Sequence, residues 1–184
     1  MGLVILTNQE EGGACRAMMH SILDDSLGAR TPAVDWTAAF PKQSDDGAAK
    51  AQAAVAKAAS ARAATSSPSL PLGGHAGRYR DPWYGDATIV EEGGRLVLDM
   101  TRTRGVLADL EHWQHDTFVA RWREAFMSDT QPADAYVSFA LKPDASIERM
   151  TMAPVSPAID FSFDFQDLRF TRVAPAGADA AKPN

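Results

Sequence analysis

The chain has 184 residues, 45% of them hydrophobic and 23% charged, with a net charge of −6 at neutral pH. That composition belongs to a soluble globular protein with room for one good core, or one domain and an appendage. The acid excess argues against nucleic acid or an anionic membrane surface as partner, since both are bound through Lys and Arg. No apolar run approaches the ~20 residues of a membrane span, and the single Cys15 excludes an internal disulfide and a multi-cysteine metal site.

Leu3-Val4-Ile5-Leu6-Thr7 is too short for a signal-peptide core and has no basic residue before it. Its length and β-branching predict a strand buried on both faces, which needs neighbours that the next stretch of chain does not offer. Residues 14–27 read as a helix, with Ala17, Met18, Ser21, Ile22 and Asp25 around one stripe and Gly28 as the C-terminal cap. Thr31-Pro32 ends it, and Val34-Asp35-Trp36 begins something new. Ser44-Asp45-Asp46-Gly47 predicts the start of a second helix, with capping side chains and negative charge at its N-terminus. Residues 48–64 hold eleven Ala among seventeen positions, and Val55 is the one sizeable apolar side chain. Such a helix buries little and suits a spacer of roughly 25 Å; a partly frayed linker fits the same composition. Thr65 to Gly74, rich in Ser, Pro and Gly, is a boundary.

Beyond it the periodicity changes to two. Strands are predicted at Ala76–Arg80, Tyr84–Glu91, Arg95–Met100, Leu107–Trp113, Thr117–Trp122, Tyr136–Leu141, Ile147–Met152 and Leu168–Val173. Gly93-Gly94 reads as a hairpin turn, and Pro143-Asp144-Ala145 as another. Phe118, Ala120 and Trp122 share one strand face, opposite Val119, Arg121 and Arg123. Phe161, Phe163 and Phe165 fall at spacing two and predict one strand more. Short, regularly spaced strands with turn signals between them predict a mainly β chain, an antiparallel barrel or sandwich. Residues 174–184, rich in Ala, Pro and Gly, are expected to be disordered.

Three separated motifs carry a resemblance: Gly77-Arg-Tyr-Arg-Asp-Pro-Trp-Tyr-Gly-Asp86, Asp109-Leu-Glu-His-Trp113 with Asp116-Thr-Phe118, and Asp160 to Val173. With these, residues 73–173 resemble DUF3471, a lipocalin-like barrel found C-terminal to serine hydrolases of the class C β-lactamase and penicillin-binding-protein-like type. Residues 2–28 are similar to the last strand and helix of such a hydrolase domain. The resemblance implies an antiparallel lipocalin-like β-barrel of about eight strands, preceded by an N-terminal strand plus helix and an Ala-rich linker helix. It divides the chain into a hydrolase remnant (1–30), a linker (31–72), the barrel (73–173) and a tail (174–184). The family nucleophile motif Ser-x-x-Lys has no match at any Ser here. Tyr79, Tyr84 and Tyr136 are followed two residues on by Asp81, Asp86 and Ser138, so Tyr-x-Asn is missing too. No catalytic residue carries over, and no cofactor is implied.

The remaining candidates are binding residues. Trp83, Tyr84, Trp113 and Trp122, with Phe161, Phe163 and Phe165, would fill the core or line a ligand cavity at a barrel mouth. His112 and Arg121 join them as ligand-facing polar groups; Arg121 would clamp a carboxylate or pair with acids across the sheet. His112 and His115, flanked by Asp109, Glu111 and Asp116, are the densest group of metal-type ligands. On a strand the two imidazoles point to opposite faces, and polar side chains at a hairpin end explain them without a metal. Asp160-x-Ser162-x-Asp164 fails the calcium-loop pattern, having Phe165 at the glycine position and Thr171 at the bidentate-acid position. Ser21 beside His20 makes no triad, since neighbours on a helix do not face each other. Two functions follow. One is a non-catalytic accessory barrel of a serine hydrolase or peptidase, acting in cis or in trans to gate an active site or mediate assembly. The other is a free-standing lipocalin-like binder of a small apolar or amphipathic ligand. Residues 1–28 are expected to self-associate in the isolated chain.

Overall fold

A computed structural model describes residues 2–8, 12–29, 34–123, 133–159 and 163–174. The chain forms two compact units, 1–53 and 54–184, dividing within one long helix.

The first unit is helical. Helix α1 spans Gly12–Ser26 and α2 spans Trp36–Ser60. Gly28 takes a positive φ of 69°, and the N–H groups of Gly28 and Ala29 close onto the carbonyls of Asp25 and Asp24. This left-handed cap satisfies the last carbonyls of α1 as its Gly-ended sequence predicts. Asp35 caps α2: its Oδ1 accepts from the Thr37 and Ala38 amides at 3.0 and 3.3 Å. The second helix therefore begins at Trp36 and runs through Pro41, not from Ser44 as the charge pattern suggested. Asp46, which looked like part of a cap, instead pairs with Lys42 one turn back at 2.7 Å. His20 on α1 stacks on Trp36 with ring centroids 4.5 Å apart, and Trp36 Nε1 donates to Asp24 at 2.6 Å.

The predicted strand at residues 3–7 is a correction. The segment joins no ladder among the described residues. A strand exists only where a second edge offers its N–H and C=O groups, and the first unit supplies none. Leu3 and Ile5 instead line an apolar hollow with Cys15, Met19, Leu23 and Leu27. The latter four recur every fourth residue along one side of α1, while Ala17, the buried residue of the helix, lies on the stripe read from the sequence.

The second unit is a closed eight-stranded antiparallel barrel. Its strands are β1 Gly77–Asp81, β2 Gly85–Glu92, β3 Arg95–Asp99, β4 Leu107–Gln114, β5 Thr117–Trp122, β6 Ala135–Leu141, β7 Ile147–Pro154 and β8 Arg169–Arg172. Each pairs with its successor, and β8 returns to β1 through Tyr79↔Arg172 and Arg80↔Thr171. Closure leaves no edge exposed to template aggregation. Gly93 and Gly94 both take positive φ, 58° and 78°, the backbone a two-residue hairpin needs to match strand twist. Inward positions alternate as the sequence predicts: Ala87 and Ile89, Leu96 and Leu98, Phe118 and Ala120 are all buried. Two bulges break that alternation, at His112/Gln114 in β4 and at Ala140/Leu141 opposite Ile147. The second is why Ile147, Met150 and Met152 all face inward although their spacing is uneven.

The strand predicted from Phe161, Phe163 and Phe165 is not formed at its described residues. Phe165–Asp167 is a single 3₁₀ turn, closed by Asp167 N–H to the Asp164 carbonyl and Leu168 N–H to that of Phe165. Local bonds of this kind compete with a ladder, and period two in three aromatic residues was not enough to outweigh them. Phe161 and the predicted tail from residue 175 lie outside the described residues.

Candidate functional site

Chain-order antiparallel pairing puts the loops after β1, β3, β5 and β7 at one end of the barrel and those after β2, β4 and β6 at the other. The two ends differ in how they are finished.

One end is plugged. The short helix α3, Leu72–His75, precedes β1 and sets His75 inside, fully buried. The imidazole meets the edges of Phe118 and Phe139 with centroids 5.2 and 4.8 Å apart. Its Nδ1 lies 3.3 Å from the Pro71 carbonyl oxygen. Its Nε2 has no hydrogen-bond partner among the described residues, and Asp116 Oδ1 is 3.9 Å away. Desolvation holds His75 below the ordinary histidine value of 6.5 against the pull of the Pro71 carbonyl and Asp116, so the ring is kept neutral. The Tyr79 hydroxyl donates to the His75 carbonyl at 2.6 Å, and burial pushes this phenol up to about 12.

The Ser/Pro-rich segment that reads as a boundary is fastened to this same end. Arg62 donates from Nε to the Trp113 carbonyl at 2.5 Å and from its terminal nitrogen to that of His112 at 3.2 Å. Its guanidinium also lies 5.0 Å from the Trp113 ring centroid. Ser66 Oγ accepts from the His115 amide at 2.9 Å, and Ser69 donates from both N–H and Oγ to Asp116 at 2.7 Å. The Arg62 bonds use the His112 and Trp113 carbonyls at the β4 bulge.

At the other end the described residues form a mouth. Asp81, 3% exposed, anchors it. Oδ1 accepts from the Trp83 and Tyr84 amides at 2.8 and 2.7 Å, and Oδ2 from the Arg169 amide at 2.6 Å. Burial pushes this carboxyl up, but the Tyr84, Arg169 and Trp83 amides outweigh it and leave Asp81 below the usual carboxylate value. One carboxylate thus ties the β1–β2 turn to the start of β8. Above it lies a cavity of about 310 Å³ walled by Tyr84, Trp122, Phe163 and Phe165, with Met100 and Leu168 deeper in. Trp122 and Phe165 lie nearly parallel, 13° apart with centroids 6.0 Å distant. The Tyr84 hydroxyl donates to the Met100 carbonyl at 3.1 Å, and Trp122 Nε1 donates to that of Ala133 at 2.7 Å. Trp83 borders the same cavity and is 81% exposed.

The structure therefore brings together Trp83, Tyr84, Trp122, Phe163 and Phe165 of the residues singled out from sequence. It places Trp113, His112 and Arg121 elsewhere, and Phe161 lies outside the described residues. Trp113 is the extra residue of the β4 bulge, on the Arg62 side, 5.4 Å from Tyr136. His112 turns its ring edge to Phe118 at 5.5 Å, and its Nε2 lies 3.0 Å from the His115 carbonyl oxygen. Arg121 bonds Glu111 at 3.1 Å and also Asp134, while Arg123 reaches Asp109 at 2.7 Å, so both arginines pair across the sheet. Asp116 is held by Ser69, and among the described residues no three His, Cys, Asp or Glu side chains group as a metal site. Leu168, Met100 and Thr103 of the mouth were not singled out. Their signal is weak, because a loop and a 3₁₀ turn bring them together and neither has a periodicity.

A family model described as "Domain of unknown function (DUF3471)" matches residues 61–172. No curated protein matches the chain. Among solved structures, a crystal structure of the C-terminal domain of penicillin binding protein Rv0907 aligns with a TM-score of 0.41 and 23% identity, over 60% of this chain and 93% of that one.

Proposed function

Because the chain belongs to the DUF3471 family, whose model spans its barrel, we propose that it is a non-catalytic accessory barrel. It would work beside a serine hydrolase of the β-lactamase and penicillin-binding-protein-like type, on the same polypeptide or in trans, gating the active site or holding an assembly together. The class of partner is what the resemblance to the C-terminal domains of such hydrolases implies. The observation that supports a non-catalytic role is how the polar side chains of the barrel are spent. Ser66 and Ser69 fasten the approach segment, Ser138 pairs with Thr117 at 3.0 Å, Asp81 and Asp116 receive backbone amides, and His75 is sealed among aromatic rings. Nucleophilic catalysis requires a hydroxyl or thiol within reach of a base that is itself free to move a proton; these groups are positioned for structure instead.

The test is to label an extract of the native host with a fluorescent serine-hydrolase probe, then precipitate with an antibody raised against residues 73–173. A probe-labelled polypeptide is expected in the precipitate, either the antibody-reactive band itself running far above 19.8 kDa or a second band with it. An unlabelled 19.8 kDa band alone would overturn the reading.

A further inference from the structure

We propose that the mouth of the barrel is a binding site for a small organic ammonium ligand whose apolar body is about the size of one aromatic ring. The cavity of about 310 Å³ is at the small end of the range that ligand pockets occupy. Its walls are aromatic, from Tyr84, Trp122, Phe163 and Phe165, and the faces of such rings attract cations. Its polar side chains among the described residues are the Tyr84 and Thr103 hydroxyls, the Asp164 carboxylate and the Trp83 indole N–H at the edge, the Trp122 indole N–H being spent on the Ala133 carbonyl. The Tyr84 hydroxyl spends its proton on the Met100 carbonyl and so offers lone pairs to a ligand, and the Asp164 carboxylate at the rim can only accept. Thr103 Oγ lies 3.4 Å from the Tyr84 oxygen, which can take its proton. No Lys or Arg lines the cavity among the described residues. Arg102, in the loop after β3, packs against Gly85 outside it. A ligand that brings donors and positive charge completes this set, whereas a carboxylate or phosphate would meet Asp164 with no counter-charge. Trp83 stands at the edge with its backbone pinned by Asp81 and its ring in water, placed to cover a bound apolar body.

The inference holds whether the barrel is joined to a hydrolase or not, and its test uses the whole 184-residue chain. Phenethylammonium, 2-phenylethanol and phenylacetate share one body and differ in charge. Titration of each, followed by the indole N–H resonances of Trp122 and Trp83 and by calorimetry, compares them directly. Phenethylammonium is expected to bind about tenfold more tightly than the alcohol, and phenylacetate more weakly than either. Asp164→Asn is expected to reduce the ammonium preference over the alcohol severalfold, leaving the part that the ring faces supply. Trp83→Ala is expected to weaken both while leaving the melting temperature unchanged, since both substituted side chains are exposed. Phenylacetate binding as well as the ammonium, an ammonium preference untouched by Asp164→Asn, or an unmoved Trp122 indole with all three would each overturn the proposal.

Discussion

Asp81 accepts three backbone N–H bonds in a nearly sealed position, so Asp81→Ala leaves three donors to find other partners at the barrel mouth. Hydrogen bonds to a charged group are the strong ones, and the variant is expected to lose about 2–4 kcal/mol of stability in urea unfolding. The depressed Asp81 value sets a pH window as well. Its contribution is whole above the unfolded carboxyl value of 3.8 and is lost as pH falls below it. His75 acts at a different pH. Its folded value lies below 6.5, so the unfolded chain takes up a proton that the folded chain refuses, and stability falls as pH drops from 6.5 toward the folded value. Thermal melts between pH 7.5 and 5 are expected to show that decline, and His75→Leu to flatten it while keeping the loss near pH 4. An equal slope in the variant would remove His75 as the cause. Neither role was legible in the sequence. Asp81 stands in an evident turn, but the Arg169 amide that completes its site is 88 residues away. His75 stands between Gly73-Gly74 and the first predicted strand, where nothing near it in the chain announces burial.

The strands were legible because alternation records a wet and a dry face directly, as in β1 and β6, and because β3 and β5 add buried Val97 and Val119 to theirs. Thr117–Trp122 is recovered to the residue. Elements held by local bonds were not: the 3₁₀ turn at Phe165, the bulge at Trp113 and the Asp35 cap each depend on one hydrogen-bond choice rather than on a period. The Arg62 clamp on the bulge is the clearest case, since Arg62 looks like one more charge on an Ala-rich helix. Arg62→Ala removes two bonds to strand carbonyls and the contact over Trp113. It is expected to cost about 1–3 kcal/mol, and to speed hydrogen exchange at residues 62–69 more than at the β1–β2 turn. In the first unit, the hollow formed by Leu3, Ile5 and α1 and the exposed Val4 and Leu6, 81% and 88% accessible, leave apolar surface in water. We predict that the isolated chain self-associates through residues 1–28. Light scattering of the intact chain and of one lacking those residues tests this, and equal masses per chain would refute it.

At the scale of the whole chain, the question is where the folding unit of the barrel begins. Composition puts the boundary at the Ser/Pro/Gly-rich run and the barrel at 73, because such runs usually solvate a linker. The hydrogen bonds put it earlier. Arg62, Ala63, Ser66 and Ser69 all bond to the β4–β5 hairpin, Ala63 through its amide to the Gln114 side chain at 2.9 Å. The family match also starts at residue 61. Backbone groups paired this way are part of the ordered unit, and cutting before residue 73 would return the bulge carbonyls and the Asp116 carboxylate to water. It would also remove Leu70 and Leu72, which pack against the core, and Pro71, whose carbonyl faces His75. Two truncated chains separate the readings, one covering 61–174 and one covering 73–174. The longer is expected to melt with the intact barrel. The shorter is expected to melt at least roughly 5–15 °C lower, the shift that about 1–3 kcal/mol, the cost of Arg62→Ala alone, produces in a domain of this size. Its Trp113 emission should also move to the red as the Arg62 side opens. Equal melting of the two would mean that the segment 61–72 rests on the barrel without stabilising it, and the compositional boundary would stand.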